Sequence, residues 1–109
     1  MECDLNKLML MFARMKADGW DTSVPLKWGF FFRSSDLESL KQVYTVLKDY
    51  HYNLESVHQA DETTFVMQVS KTEILTPLKL HARNESFNQL ADQLHIDCYD
   101  GWDVGKPDK

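Results

Sequence analysis

The sequence predicts an α+β domain: a ferredoxin-like β-α-β-β-α-β sandwich with an antiparallel sheet and an extra N-terminal helix. Three observations carry this expectation. An aromatic run is closed by turn-forming serines, two apolar stripes at helical spacing follow start signals, and two strand-like runs flank a polar turn. At 109 residues the chain has the length of one domain, so 1–109 is expected to fold as a unit, with an N-terminal helix over 3–17 and a core over 26–105.

Leu5, Leu8, Met9 and Phe12 recur at i, i+3, i+4 and i+7, which makes the apolar stripe of the first helix, and Gly19 supplies its stop. The methionines Met9, Met11 and Met15 are expected to pack against the domain, with a partner groove as the alternative. Lys27–Arg33 is the aromatic strand, with Pro25 just ahead of it. Ser35-Asp36-Leu37-Glu38 reads as a capping box for a helix that continues to about Tyr50 through Leu37, Leu40, Val43, Tyr44 and Leu47. Tyr52–Gln59 and Thr63–Val69 form a hairpin about Asp61-Glu62, with Phe65, Met67 and Val69 on one face. Thr76-Pro77 offers a turn of helix, and a fuller helix is expected from about Asn84, with Phe87, Leu90, Ala91 and Leu94 inward. Ile96–Val104 is the last strand, and Gly105–Lys109 is a short frayed tail.

Composition narrows the function. Twelve basic against seventeen acidic residues leave a net charge of −5, which repels phosphate backbones. Direct nucleic-acid binding is therefore not expected, and a basic protein surface is the expected partner. The apolar run Leu8–Phe12 is too short for a secretory signal, and no stretch reaches the roughly 18 apolar residues of a membrane span. Cys3 and Cys98, at opposite ends of the chain, read as free thiols in a reducing cytoplasm.

Chemistry-bearing motifs are sparse. The histidines are His51, His58, His81 and His95, and His95-x-x-Cys98 has ligand-like spacing without a second pair to close a tetrahedral site. Cys98 lies within a predicted strand, where a free cysteine acts as a small hydrophobe. The glycines, Gly19, Gly29, Gly101 and Gly105, build no phosphate loop. The expectation is a protein with no catalytic, metal or cofactor-binding residues. Its rival is a small cysteine- or metal-dependent enzyme using Cys98, His95 and a second histidine.

Asp92, Asp97, Asp100 and Asp103 fall in a stretch without Lys or Arg, and the tetrapeptide Asp-Gly-Trp-Asp occurs twice, at Asp18–Asp21 and Asp100–Asp103. An antiparallel last strand beside the first would bring both copies to one edge. The expected partner-binding residues are Asp18, Trp20, Asp21, Tyr99, Asp100, Trp102 and Asp103: tryptophans as anchors, acids selecting a basic partner. The plainer reading is that each glycine makes a turn and each tryptophan caps the core.

The string Tyr99-Asp100-Gly101-Trp102 resembles the signature of the RraB family, regulators of ribonuclease activity B or ribonuclease E inhibitors. Asp18-Gly19 followed by Pro25 and an aromatic strand, Leu37-Glu38-Ser39-Leu40, Leu75-Thr76-Pro77 and Leu90-Ala91 fit as well, so the resemblance spans roughly residues 12–105. It implies a ferredoxin-like domain of the bacterial cytoplasm, without catalysis or cofactor, that binds endoribonuclease E or another basic RNA-processing protein and lowers its activity. Family members typically carry strongly acidic extensions, whereas Lys106–Lys109 is nearly neutral; this departure bears on the partner more than on the fold. The alternative expectation is an immunity or antitoxin protein that blocks a basic nuclease toxin.

Overall fold

A computed structural model describes residues 1–107. Helix α1, Leu5–Ala17, opens on Asp4, whose carboxylate accepts from the Lys7 amide at 3.1 Å and so satisfies one of the amides a helix start leaves unpaired. Leu8 and Phe12 are buried by it, and Met15 packs at the margin of the core; Met9 and Met11 stay half-exposed. Of the three methionines expected to pack, only Met15 does so, because the other two lie beyond the width of the buried stripe.

Strand β1 runs Leu26–Ser34 and helix α2 runs Leu37–Leu47. The N-cap of α2 is Asp36, not Ser35. The Asp36 carboxylate accepts from the Glu38 amide at 3.0 Å and the Ser39 hydroxyl at 2.9 Å, while the Ser35 amide donates to Asp97 at 3.1 Å. One 3-10 turn, Lys48–Tyr50, then leads to His51 with φ +69°, so α2 stops short of the expected Tyr50.

Strands β2, Asn53–Gln59, and β3, Phe65–Glu73, form the expected hairpin. β3 continues past Val69 because its pairing with β1 persists to Leu26 opposite Glu73. Helix α3 is one element, Pro77–Gln93, and does not begin afresh near Asn84. Thr76 caps it by accepting from the Lys79 amide at 3.2 Å, and Leu80, Asn84, Phe87 and Ala91 form a continuous buried stripe. Strand β4, Cys98–Gly105, begins later than expected. His95 takes φ +57°, and the Ile96 amide is still bonded to the Ala91 carbonyl at 3.1 Å. Gly105 ends β4; of the expected tail, residues 108 and 109 lie outside the described part.

Among the described residues, three α-helices and one four-stranded antiparallel sheet make an α+β fold. The strand order β2-β3-β1-β4 is the order expected of a β-α-β-β-α-β chain, with β4 beside β1. Trp28, Phe30 and Phe32 alternate along β1 and are wholly buried. They share one cluster with Leu8 and Phe12 of α1, Leu40, Val43 and Leu47 of α2, and Leu80 and Phe87 of α3. The helices therefore cover one face of the sheet. Each such large side chain contributes roughly 1.5–3 kcal/mol by leaving water. Lys27, Gly29, Phe31 and Arg33 occupy the alternate positions and face the other way.

Arg83 of α3 makes a two-pronged contact with Glu73 of β3, at 2.8 and 2.9 Å, and donates to the Tyr52 hydroxyl. Its guanidinium also lies over the rings of Phe30 and Tyr52. This pair ties α3 to the end of the sheet. Arg83→Met is expected to cost about 2 kcal/mol, between the values for exposed and buried pairs, as measured by chemical denaturation. Adding Glu73→Gln restores part of that loss, since Glu73 is then no longer an unpaired charge. Burial also pushes the Tyr52 hydroxyl up to about 12. The folded state thus holds a proton that an unfolded tyrosine, near 10, has lost. Stability present below pH 10 is expected to fall as the pH rises from about 10 to about 12, and denaturation midpoints across that range check the sign.

Candidate functional site

β4 pairs with β1 so that Val104 lies opposite Trp28, Asp103 opposite Gly29, Trp102 opposite Phe30 and Gly101 opposite Phe31, after which Tyr99 lies opposite Phe32. Asp100 is the extra residue of a β-bulge. In a regular strand, residues three apart point to opposite faces. The bulge cancels one alternation, so Tyr99 and Trp102 both turn inward. Gly101 sits at φ +121°, a conformation L side chains rarely adopt, which is why glycine follows the bulged aspartate.

Tyr99 has no exposed surface and donates its hydroxyl hydrogen to buried Asn84 at 2.5 Å. Burial pushes its pKa well above the ordinary tyrosine value, so it stays neutral. Its ring packs against Phe32 and Phe87 at 5.3 and 5.4 Å. Trp102, half-buried, lies 5.7 Å from Trp28, which in turn stacks on Phe12 of α1 at 5.7 Å. The aromatic half of Tyr99–Asp103 is therefore a mortar joining β4, β1, α1 and α3.

The acids point outward. Asp100 pairs with Arg33 at 3.4 Å, both exposed, and such a pair contributes under about 1 kcal/mol. Asp103 lies across the sheet from Gly29, where an added Cβ would fall 2.1 Å from its Oδ1 and 2.9 Å from Gln68 Nε2. Gly29 is thus the floor on which the Asp103 carboxylate rests. Burial raises the pKa of Asp103, against the lowering effects of the Gly29 amide and Lys27. Lys27 pairs with Glu55 at 2.7 Å, and Glu55 accepts from buried Ser70 at 2.6 Å on the same face.

The first Asp-Gly-Trp-Asp copy does different local work. The Asp18 amide closes α1 on the Arg14 carbonyl at 2.9 Å, Gly19 takes φ +94°, and the Trp20 amide returns to the Met15 carbonyl at 2.9 Å. Trp20 then packs, half-buried, on the core. Asp21 accepts from the Ser23 amide and hydroxyl, which lower its pKa. In both copies a glycine of positive φ turns the following tryptophan inward and leaves the acids outside.

The segment Asp18–Asp21 does approach the end of the last strand. It shares a surface hollow of about 650 Å³ with Pro25, Leu26, Lys106 and Pro107. Asp103 stands farther along β4, and Asp100 lies near Arg33, five residues or roughly 16 Å from Gly105 at 3.3 Å per residue. The acids thus follow a rim along β4 and do not gather at one point. Tyr99 is under that rim and can only hold it in place.

Gly29, Arg33 and Gln68 belong to the same surface and were not anticipated as site residues. Their signal was the strict alternation of β1 and β3, which puts them on the face away from the helices. Cys3 and Cys98 are free, and the Cys98 thiol is pushed up by burial and by Asp100, which disfavours the thiolate. Among the described residues, no three His, Cys, Asp or Glu side chains are placed to share a metal ion. No helix among them is long and apolar enough to cross a membrane.

This arrangement defines a small α+β domain whose distinctive motif builds a bulged strand with outward acids. Residues 8–104 match the family model described as Regulator of ribonuclease activity B, and the chain belongs to that family. The match takes in both Asp-Gly-Trp-Asp copies. No curated protein matches the chain.

Gly101→Ala is expected to destabilise the domain by about 1–3 kcal/mol, the usual cost of a side chain in such a backbone conformation, read from thermal or denaturant unfolding. Gly29→Ala is expected to push the Asp103 carboxylate off the sheet into water. Its NMR-detected titration then moves down toward that of an ordinary aspartate; an unmoved titration would show that the carboxylate does not rest on Gly29.

Proposed function

We propose that the protein is a non-catalytic regulator that binds endoribonuclease E and lowers its activity. The carrying observation is the family match over 8–104, the family being one of regulators of ribonuclease activity. The contact surface in this reading is the β4 rim with the preceding α1 turn: Asp18, Asp21, Asp100 and Asp103 as the acids, Trp20 and Trp102 as the half-buried anchors, and Tyr99 as the support beneath. Exposed carboxylates steer a basic partner into place and set its register, and tryptophan area at the centre supplies most of the affinity. Inhibition then needs no bond to be broken, only occlusion of the nuclease or a change in its assembly.

Purified endoribonuclease E is the direct probe. Asp18→Lys, Asp21→Lys and Asp100→Lys together alter exposed side chains only, and the variant is expected to fold as the parent does. Its affinity is expected to fall about tenfold or more, and at high salt the parent should weaken toward it. Cleavage of a short RNA by the nuclease, followed with and without the protein, reports inhibition. A parent protein that neither binds the nuclease nor slows cleavage overturns the partner; unchanged affinity of the variant overturns the rim.

A further inference from the structure

We propose that the outer face of α1 is a second docking surface, one that takes an acidic amphipathic helix of a partner protein. This surface adjoins the Asp18 turn of the ribonuclease contact at one end, and it is opposite to the β4 acids in charge. α1 carries Lys7, Arg14 and Lys16 and no carboxylate, in a chain whose net charge is −5. All three cations are exposed, and among the described residues none of them is in an ion pair.

Leu8 and Phe12 fix which side of α1 faces the core. With 3.6 residues per turn, Asn6, Leu10, Ala13 and Ala17 fall on the opposite side, spaced four, three and four. All four are exposed, and Leu10 at 71% is the most exposed of the large hydrophobic side chains. Met9, 53% exposed, flanks the row, whereas Met11 lies beyond Lys7, in the hollow it shares with Leu8 and Trp102. Lys7 and Arg14 border it on one side and Lys16 on the other. A seam at four-three spacing with charges on its flanks is the geometry by which one helix receives another, the flanking charges choosing the partner. A flexible methionine, Met9, beside the leucine lets the seam fit side chains of varied shape.

Charge decides among the occupants. A second copy would set three cations against three, with only the capping Asp4 and Asp18 at the helix ends to answer them. A bilayer surface requires a broad apolar face, and one leucine, two alanines and one flanking methionine make a narrow one. A helix with glutamates at its flanking positions answers Lys7, Arg14 and Lys16 directly.

The test uses the full chain and two synthetic amphipathic peptides with the same Leu/Ala seam, one flanked by glutamate and one by lysine. Expected are binding of the glutamate peptide alone, amide shifts in NMR spectra confined to α1, and loss of binding as salt is raised. Leu10→Asp is expected to weaken it about tenfold or more. Lys7→Glu with Arg14→Glu is expected to transfer the preference to the lysine peptide. Because these positions are exposed, the variants should keep the parental unfolding midpoint. Asp100→Lys, the rim change farthest from α1, should bind the glutamate peptide as the parent does, which separates this surface from the ribonuclease contact. Equal binding of both peptides, shifts outside α1, or unchanged binding by Leu10→Asp overturns the proposal. So does pelleting with phosphatidylserine vesicles while the peptides stay inert, or a dimer in sedimentation that Leu10→Asp abolishes.

Discussion

Trp28, Phe30 and Phe32 stand on alternate positions of an inner strand, and rings from α1, α3, β4 and the entry to β2 all pack on them. α1 arrives by Phe12 on Trp28, α3 by Phe87 on Phe30 and Phe32, and β2 by way of Tyr52 beside Phe30. β4 must meet the same row with two rings, Trp102 and Tyr99, that lie three residues apart. A regular strand forbids that. The bulge at Asp100, with Gly101 at positive φ, is the one backbone device that permits it, and the closure of the core on the β4 side depends on it.

The same device shapes the surface. Turning Tyr99 and Trp102 inward leaves Asp100 and Asp103 on the outside, one beside Arg33 and the other over the bare backbone of Gly29. The acids of the motif are thus displayed by the residues that pack the core, and a change to those aromatics disturbs the display. Under the proposed contact the motif would serve stability and recognition together, so loss of function in an aromatic variant says little unless folding is measured alongside it.

Much of this was legible in the sequence, because hydrophobic periodicity and turn chemistry are local. The aromatic strand, the hairpin and the stripe of α2 all follow from spacing within a few residues. The errors were of another kind. Asp36 took the cap from Ser35 because a carboxylate one position on can serve the Glu38 amide and the Ser39 hydroxyl together, while Asp97, distant in sequence, took up the Ser35 amide. The apolar stripe of α3 is legible only from about Asn84, a polar residue on the buried face whose side chain answers Tyr99 across the core, so the helix runs on unbroken from Pro77. The Asp-Gly-Trp-Asp repeat was visible, but its two copies do unlike work, one ending a helix and one bulging a strand. That difference depends on pairing with β1, which no local pattern carries.

Net charge is a poor summary of such a molecule. A total of −5 argues against phosphate backbones as partners, and it agrees with a rim of outward aspartates. It conceals a helix with no acid and three cations, none of them in an ion pair among the described residues, beside an exposed leucine. Electrostatic selection acts over a Debye length of about 8 Å at physiological salt, so each surface is read by its own neighbourhood and not by the sum. Two patches of opposite sign on one small domain can therefore admit two different partners, and each patch repels the partner that suits the other.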